Sequence, residues 1–259
     1  MLNNFSRFLG KNILITGSTG GIGQAVAKRF ALEGGHVLLV DQEFDKLNAQ
    51  TISLGKNASS FVCDVTNEVQ CRQVNCDILH HHSRIDIAIL NAGIEGPIAD
   101  LDTLTTADFD QVMAVNARGV FIWLNMLMKT MKKQSHGVIT LTSSVAGLNG
   151  TAGLGPYVAS KHAMMGLMKC AALEGAAHGI RVNAVNPGPI YTRMIQSIEA
   201  GFGEPNLVRQ KYLSSIPLKR YGLADEIAST VAFLSSDEAG YSTGSGFVVD
   251  GGGQAGRSR

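Results

Sequence analysis

A tyrosine and a lysine stand four positions apart in the segment GPYVASKHA, residues 155–163. If this segment is helical, Tyr157 and Lys161 lie on the same face, because side chains at positions i and i+4 sit one above the other. An ammonium group beside a phenol stabilises the phenolate and lowers the phenol pKa from its ordinary value of about 10. Such a pair would suit a general base that accepts the proton of an alcohol. The same spacing also fits an interfacial tyrosine beside a solvated lysine, so the pair alone assigns no function.

A glycine-rich turn lies between the first predicted strand and the first predicted helix. Gly17, Gly21 and Gly23 allow a tight turn and a close approach of the backbone to a ligand. The N-terminus of the helix offers free N–H groups and the positive end of the helix dipole, which together bind phosphate. Three glycines in a turn need no ligand, but the strand–turn–helix context that the motif requires is present. The segment therefore predicts a pyrophosphate site.

An acidic residue ends the second predicted strand. Asp41 lies at the distance after Gly17 where dinucleotide-binding folds place an acid for the adenosine ribose. Its carboxylate repels a 2′-phosphate, and neither Gly20 nor Gln42 supplies a cation to receive one. The sequence therefore predicts NAD(H) rather than NADP(H) as the cofactor. The alternative is that Asp41 only caps the following helix.

Short apolar segments alternate with segments of helical period along nearly the whole chain. The apolar segments are apolar on both faces, as in buried parallel strands, and comprise residues 12–16, 36–40, 60–64, 85–90, 137–142, 180–185 and 246–250. The helical segments comprise residues 21–34, 44–55, 67–82, 106–133, 157–179 and 224–236. This alternation predicts an α/β fold with a doubly wound parallel sheet of about seven strands, helices on both faces, and a single domain over residues 1–259.

Residues 191–216 interrupt this alternation with a long insertion that has two glycines and a proline at its middle. Long excursions in compact α/β folds are usually lids or binding loops. We expect this substrate loop to determine specificity together with residues 145–155 and 94–97. These segments are largely apolar, which favours a modest apolar substrate, cyclic or aromatic.

The overall composition argues against several classes of protein. The chain of 259 residues is 45% hydrophobic and 17% charged, with a net charge of +1, so nothing points to nucleic acid or an anionic membrane. No apolar segment approaches the roughly 18 residues of a membrane span, and the first residues lack the apolar stretch of a secretory signal. The four cysteines are irregularly spaced, which predicts reduced thiols. We therefore expect a cytoplasmic protein that acts on a small molecule.

A histidine run and two methionine-rich segments could also suggest ligand sites. The run HHH at residues 80–82, with Cys71 and Cys76 upstream, invites a metal site. Consecutive residues of a helix point about 100° apart, so the three imidazoles do not converge on one ion, and we predict no metal. The methionine-rich segments 123–133 and 164–169 are predicted to pack in the core or between subunits rather than to line a ligand groove.

A series of short motifs over residues 10–252 resembles the short-chain dehydrogenase/reductase family. They are TGSTGGIG (16–23), CDV (63–65), NAG (91–93), VN (115–116), TSS (142–144), YVASK (157–161), NPGPIYT (186–192) and TGSGFVVDGG (243–252). One departure is Leu90, where the family often has an asparagine before NAG. The resemblance implies a single Rossmann-like domain with a seven-stranded parallel sheet, and a homodimer or homotetramer that forms through two long helices.

The resemblance also implies a role for each matching residue. Tyr157 would be the acid/base, and Lys161 its neighbouring cation and a ligand of the nicotinamide ribose. Ser144 would hold the substrate oxygen, in preference to the adjacent Ser143, and Asn116 would support a proton relay, although a polar residue there could also face solvent. The implied cofactor-binding residues are Gly17, Gly21, Ile22, Gly23, Asp41, Asp64, Val65, Asn91, Gly93, Tyr157, Lys161, Pro187, Ile190 and Thr192.

These residues together predict an NAD(H)-dependent oxidoreductase that interconverts a secondary alcohol and a ketone by hydride transfer. Tyr157 would take the hydroxyl proton in oxidation and return it to the ketone oxygen in reduction. One alternative is a 3-oxoacyl-carrier-protein reductase, which typically uses NADPH and has a basic residue at the position of Gly20. The other is a sensor or scaffold that binds NAD(H) without turnover, against which the complete set of catalytic residue types argues.

Overall fold

A computed structural model describes residues 6–256, which are built on one seven-stranded parallel sheet. Strands β1 to β7 are Asn12–Thr16, His36–Asp41, Ala58–Val62, Ile87–Leu90, Gly137–Thr142, Ile180–Pro187 and Gly246–Val249. Their order across the sheet is β3-β2-β1-β4-β5-β6-β7. The order reverses between β1 and β4, and such a reversal opens a crevice at the carboxyl ends of the strands. The predicted fold class, a Rossmann-like doubly wound sheet, is confirmed.

Helices cover both faces of the sheet because both faces are apolar. Helices α1 to α9 are Gly21–Leu32, Phe44–Leu54, Glu68–His82, Thr106–Met113, Val120–Gln134, Gly155–Ala176, Arg193–Gly201, Pro205–Ser215 and Ala224–Ser235. Successive side chains of β1 alternate between the faces. Leu14 joins a core cluster with α3, α5 and α6, whereas Ile13 and Ile15 join a second cluster with α1 and α9.

The predicted boundaries of the regular elements agree with the structure in most places. The predicted strand 60–64 begins two residues earlier, at Ala58. A capping box begins α4, because the Thr105 side chain accepts from the Asp108 N–H while the Asp108 carboxylate accepts from the Thr105 N–H. The predicted helix 106–133 is interrupted by a π-helical segment, Ala114–Gly119.

The insertion 191–216 contains two helices, α7 and α8, which the sequence analysis did not predict. Gly203 closes the short turn between them with a φ of 88°, which an ordinary side chain rarely adopts. Pro205 then begins α8, where its missing N–H costs nothing. The turn residues that made the segment resemble a loop therefore separate two short helices.

The methionine-rich segments belong to the core, as one of the two predicted alternatives stated. Met126 and Met131 of α5 are buried against Met164 and Met168 of α6 in the same cluster. Within the described part of the chain, every helix is too short or too polar to cross a lipid bilayer.

Candidate active site

A cavity of about 500 Å³ opens at the carboxyl ends of the strands. This volume is typical of sites for small molecules and cofactors. The predicted site residues that line the cavity are Gly17, Gly21, Ile22, Asp41, Asp64, Val65, Asn91, Gly93, Ser144, Tyr157, Lys161, Pro187, Ile190 and Thr192. The two remaining predicted residues, Gly23 and Asn116, lie behind this lining. The structure therefore brings residues from six different strand ends to one place.

The glycine turn after β1 packs closely against two other segments of the cavity wall. Gly17 has a φ of 63°, and a Cβ atom there would lie 2.6 Å from the Ala92 Cα. A Cβ atom at Gly21 would lie 2.8 Å from the Thr192 Cγ2. A dinucleotide pyrophosphate requires this kind of bare backbone beside a helix N-terminus, here that of α1. The turn and the cavity therefore fit a dinucleotide cofactor.

Asp41 faces the glycine turn from the end of β2. Its Oδ2 atom accepts hydrogen bonds from the Thr19 N–H at 2.9 Å and the Thr19 hydroxyl at 2.8 Å. Its Oδ1 atom accepts from the Gln42 N–H at 2.8 Å. The N-cap of α2 is Glu43, so the alternative that Asp41 caps this helix is wrong. Thr19 is a site residue that the sequence analysis missed, because no local pattern links it to a strand that lies far along the chain.

Helix α2, which follows Asp41, contributes one cation to the described cavity wall. Lys46 lines the cavity one turn into α2, and its Nζ atom lies 2.7 Å from a carboxylate oxygen of Glu43. Both side chains are more than half exposed, so the pair is weakly held. The end of β2 and the start of α2 thus present two carboxylates, Asp41 and Glu43, and one paired ammonium group to the cavity.

Tyr157 and Lys161 share the buried face of α6, as their spacing predicted. The Lys161 Nζ atom lies over the Tyr157 ring, 5.5 Å from its centroid. It donates a hydrogen bond to the Thr142 carbonyl oxygen, at the end of β5, at 2.9 Å. The lysine is therefore anchored to the sheet beside the tyrosine.

The expectation that Lys161 lowers the tyrosine pKa is wrong in this structure. Burial raises the pKa of Tyr157 to about 12, the Ser144 hydroxyl opposes the rise, and the Glu95 carboxylate adds to it. Burial also lowers the pKa of Lys161 to about 8. Removal from water disfavours the charged form of both groups and is the largest cause of each shift.

The two adjacent serines after β5 make different contacts. Ser143 is buried, and its hydroxyl donates to the Lys161 carbonyl oxygen at 3.3 Å. The Ser144 Oγ atom accepts from the Ala146 N–H at 3.1 Å and donates to the Pro187 carbonyl oxygen at 3.5 Å. Both residues line the cavity, and the Ser144 hydroxyl is the one that lowers the pKa of the Tyr157 phenol.

Asn116 lies in the π-helical segment and is fully buried, so the solvent-facing alternative is wrong. Its amide accepts from the Ile94 N–H at 2.8 Å and donates to the Ile94 carbonyl at 2.9 Å. A further hydrogen bond of 3.0 Å runs from Asn116 Nδ2 to the Ser160 hydroxyl on α6. π-Helical turns often mark functional sites, and this one aims Asn116 at the segment after β4. Ser160 is a second residue that the sequence analysis missed.

The remaining wall of the cavity is largely apolar, as expected for the substrate segments. The apolar lining residues on this side are Ile94, Ala146, Leu154, Met194, Ile195, Ile198 and Tyr212. One charged pair accompanies them: Arg193 lies 3.7 Å from the largely buried carboxylate of Glu95. Four of the apolar residues come from α7 and α8, so the insertion does form part of the cavity.

The cysteines and the histidine run contribute no cluster of metal ligands. Within residues 6–256, no three side chains of His, Cys, Asp or Glu come together as ligands of one ion. All four cysteines are free thiols, and the Sγ atoms of Cys63 and Cys71 lie 3.6 Å apart.

Comparison with known families and proteins agrees with this geometry. The family model described as enoyl-(acyl carrier protein) reductase matches residues 17–254. The levodione reductase of Leifsonia aquatica is 37% identical over 254 residues, which are 95% of each chain. A 3-oxoacyl-(acyl-carrier-protein) reductase of Thermotoga maritima is 39% identical over 249 residues, which are 95% of this chain and 98% of the relative.

Solved structures show the same fold over nearly the whole chain. A crystal structure of levodione reductase superposes with a TM-score of 0.94 at 36% identity, covering 96% of this chain and all of that one. A structure of NAD+-bound xylitol dehydrogenase gives a TM-score of 0.90 at 33% identity, covering 93% of this chain and 98% of that one.

Proposed function

Because the chain belongs to the short-chain dehydrogenase/reductase family of oxidoreductases, we propose that it transfers hydride between NAD(H) and a secondary alcohol or ketone, with Tyr157 as the acid/base. One observation supports this proposal more strongly than the others. The glycine turn, Asp41, Ser144, Tyr157 and Lys161 line a single cavity, so a dinucleotide and a small substrate can meet there.

The cofactor would lie along the strand ends from β3 to β6. The glycine turn would hold the pyrophosphate, Asp41 the adenosine ribose, and Lys161 the nicotinamide ribose. Asp64 and Val65 would contact the adenine. The residues proposed to complete the site are Gly17, Gly21, Ile22, Gly23, Asn91, Gly93, Pro187, Ile190 and Thr192. A bound nicotinamide ring supplies a C4 atom that gives or accepts hydride and, when oxidised, a positive charge that favours the phenolate.

The proton moves at the Tyr157 hydroxyl. With a pKa of about 12, the phenol is protonated at neutral pH and is ready to donate to a ketone oxygen. Ser144, whose hydroxyl lowers the pKa of the phenol, would donate to the substrate oxygen, where negative charge develops. In the direction of oxidation, the Lys161 ammonium would stabilise the phenolate that accepts the alcohol proton.

Asn116, behind the cavity lining, and Lys161, in the lining, would support this proton transfer. A Cβ atom at Gly93 would lie 3.2 Å from Asn116 Oδ1 and 3.5 Å from Lys161 Nζ, so both polar groups converge on the same bare stretch of backbone. We propose that Asn116 supports a proton relay that replenishes Tyr157 through Lys161.

The preference for NAD(H) over NADP(H) rests on charge. A 2′-phosphate on the adenosine ribose would meet the carboxylate of Asp41, and the nearby ammonium of Lys46 is paired with Glu43. The similar xylitol dehydrogenase was solved with NAD+ bound, which also favours this choice.

The substrate that the site favours is a modest apolar ketone or its alcohol. The apolar residues of α7 and α8 support this choice, and one similar protein is a levodione reductase. A second candidate is reduction of a 3-oxoacyl thioester, because the Thermotoga maritima relative of that name is similar over nearly its whole length.

The test is an absorbance assay of NADH and NADPH oxidation with a panel of cyclic and aromatic ketones and one 3-oxoacyl thioester. We expect turnover of at least one ketone with NADH preferred, and a loss of about 100-fold or more in kcat for Tyr157→Phe with NADH binding retained. Turnover of the thioester alone with NADPH would favour the second candidate. NADH binding without any turnover would favour a sensor.

We also propose a homodimer or homotetramer that forms through α5 and α6, as expected from the family resemblance. Each helix exposes a large apolar side chain, Phe121 on α5 at 52% and Leu173 on α6 at 82%. Size-exclusion chromatography at micromolar concentration tests this, and a monomer would contradict it. The cytoplasmic location stays a prediction.

A further inference from the structure

The helices α7 and α8, with the turn 202–204 between them, form a hairpin that we call the substrate wall (residues 193–215). It presents Ile195, Ile198 and Tyr212 to the cavity. The two helices are short, and isolated helices of this length are marginal in water. Side-chain contacts must therefore hold the wall in place.

A buried carboxylate joins the two helices behind the wall. Glu199 of α7 is only 1% exposed. Its Oε2 and Oε1 atoms accept hydrogen bonds from the Arg209 guanidinium on α8, at 2.8 and 3.1 Å. The guanidinium and the Tyr221 hydroxyl hold the pKa of Glu199 below its usual range despite its burial. The carboxylate is therefore ionised at neutral pH.

The same carboxylate ties the wall to the body of the protein. The Tyr221 hydroxyl donates to Glu199 Oε1 at 2.6 Å. The next residue, Gly222, donates from its N–H to the Pro189 carbonyl at 3.0 Å and accepts from the Tyr191 N–H at 2.9 Å. Pro189 lines the cavity at the end where the nicotinamide is proposed to bind. Glu199 therefore connects the wall to the segment that follows β6.

The apolar face of the substrate wall packs against Tyr221, the residue that donates to Glu199. Ile195 lies one turn before Glu199 and joins a cluster with Ile216 and Tyr221. Tyr212 packs against that cluster and meets Tyr221 edge to face, with ring centroids 6.3 Å apart. A shift of Glu199 would therefore move Ile195 and Tyr212, both of which line the cavity.

We propose that Glu199 is a positioning residue that determines how well the site discriminates ketones by size. The inference rests on the proposed function, because it takes the cavity beside Tyr157 to be the substrate site. Glu199 touches no substrate; it fixes the apolar surface that a large ketone contacts. The KM of a small ketone that does not reach Ile195 or Tyr212 does not depend on Glu199.

Another carboxylate in the described structure provides a matched control. Glu33, at the end of α1, is 4% exposed and is held by Arg7 at 2.6 and 2.9 Å and by Arg29. It has two partners, as Glu199 does, but it is absent from the cavity lining. Substitution at Glu33 therefore reproduces the loss of a buried ion pair without reaching the wall.

The first measurement compares Glu199→Gln and Glu33→Gln with the wild type, using one small and one bulky ketone. For Glu199→Gln we expect KM to rise about tenfold for the bulky ketone and less than about twofold for the small one, since small displacements of positioning groups cost affinity. NADH binding stays unchanged. In Glu33→Gln the ratio of the two KM values stays as in the wild type. An unchanged ratio in Glu199→Gln, or an equal change in both variants, overturns the proposal.

A second measurement is independent of activity. Amide hydrogen exchange in residues 193–215 should accelerate at least about fivefold in Glu199→Gln and not in Glu33→Gln, because local opening follows local contacts. Tyr221→Phe, which removes only the hydroxyl, should show a smaller effect in the same direction and serves if Glu199→Gln fails to fold. If the wild type turns over no ketone, the proposed function fails. If amide exchange in residues 193–215 is unchanged in both Glu199→Gln and Tyr221→Phe, the proposed role of Glu199 is wrong.

Discussion

The cofactor side of the cavity and the substrate wall are built in different ways. The cofactor side consists of strand ends and a glycine turn, held by the hydrogen-bond ladders of the parallel sheet and by close backbone packing. The substrate wall consists of two short helices held by a few side chains around Glu199. Main-chain geometry is shared by every sequence that forms the fold, whereas side-chain ties change with single substitutions. Cofactor chemistry is therefore the stable part of such a site, and substrate choice is the adjustable part.

Among the substitutions that test this difference between the two sides, those at the adjacent serines, Ser143 and Ser144, should have the largest effect on turnover. Ser144→Ala should lower kcat by about 100-fold, because it removes the donor to the developing negative charge. Ser143→Ala is the matched control, since its hydroxyl donates to the Lys161 carbonyl oxygen. Steady-state kinetics with NADH and one ketone decide between them. A loss of turnover in Ser143→Ala alone would reverse the assignment.

Burial of Lys161 gives a prediction for stability against pH. Its pKa falls from 10.5 when unfolded to about 8 when folded, so between these values the unfolded state binds more protons. The free energy of unfolding contributed by this group should therefore rise with pH in that window, by up to about 1.4 kcal/mol per pH unit. Urea unfolding of the wild type and of Lys161→Met measures the difference. Parallel pH profiles of the two proteins would show that Lys161 is not desolvated as described.

Substitution of Asp41 tests the cofactor side of the cavity and leaves the substrate wall unchanged. Asp41→Asn should lower kcat/KM for NADH and raise it for NADPH, changing their ratio by about tenfold, because a charged hydrogen-bond acceptor is lost and the repulsion of a 2′-phosphate is relieved. KM for the ketone should stay within about twofold of the wild type, the usual size of effects on distant sites. A native preference for NADPH, or an unchanged ratio in the variant, would contradict the role of Asp41.

The smallest expected effect lies on the wall itself. Met194 lines the cavity from α7 and is only partly buried, so Met194→Ala should leave the fold intact. We expect KM for an apolar ketone to rise about threefold to tenfold, in line with the loss of one or two methylene contacts. NADH binding, measured by fluorescence, should not change. If this variant weakens NADH binding and not ketone binding, the division between the two sides is wrong.

The sequence alone indicated most of the cofactor side. The short, continuously apolar strand segments and the turn glycines are local patterns, and they placed β1, α1 and Asp41 correctly. The partner of Asp41, Thr19, was missed because their hydrogen bond joins two strand ends that only the folded sheet brings together. Asn116 depended on resemblance for the same reason, since its partners Ile94 and Ser160 lie on other elements.

The two helices of the substrate wall and the pKa shifts of Tyr157 and Lys161 could not be predicted from local sequence patterns. The glycines of the insertion favoured a loop, yet tertiary packing of Ile195 and the ion pair of Glu199 stabilise two helices. The spacing of Tyr157 and Lys161 correctly gave their shared face. It could not give the depth of their burial, and burial rather than proximity determines the direction of both pKa shifts.

Transfer of a labelled hydride tests the central proposal most directly. NADH that carries deuterium at C4 is incubated with a ketone that the protein reduces, and the product is examined by mass spectrometry. Wild-type protein should place one deuterium on the carbinol carbon with one stereochemistry at C4, and Tyr157→Phe should form this product at least about 100-fold more slowly. Alcohol without deuterium from either C4 position, or labelled alcohol formed equally fast by Tyr157→Phe, would contradict hydride transfer with Tyr157 as the proton donor.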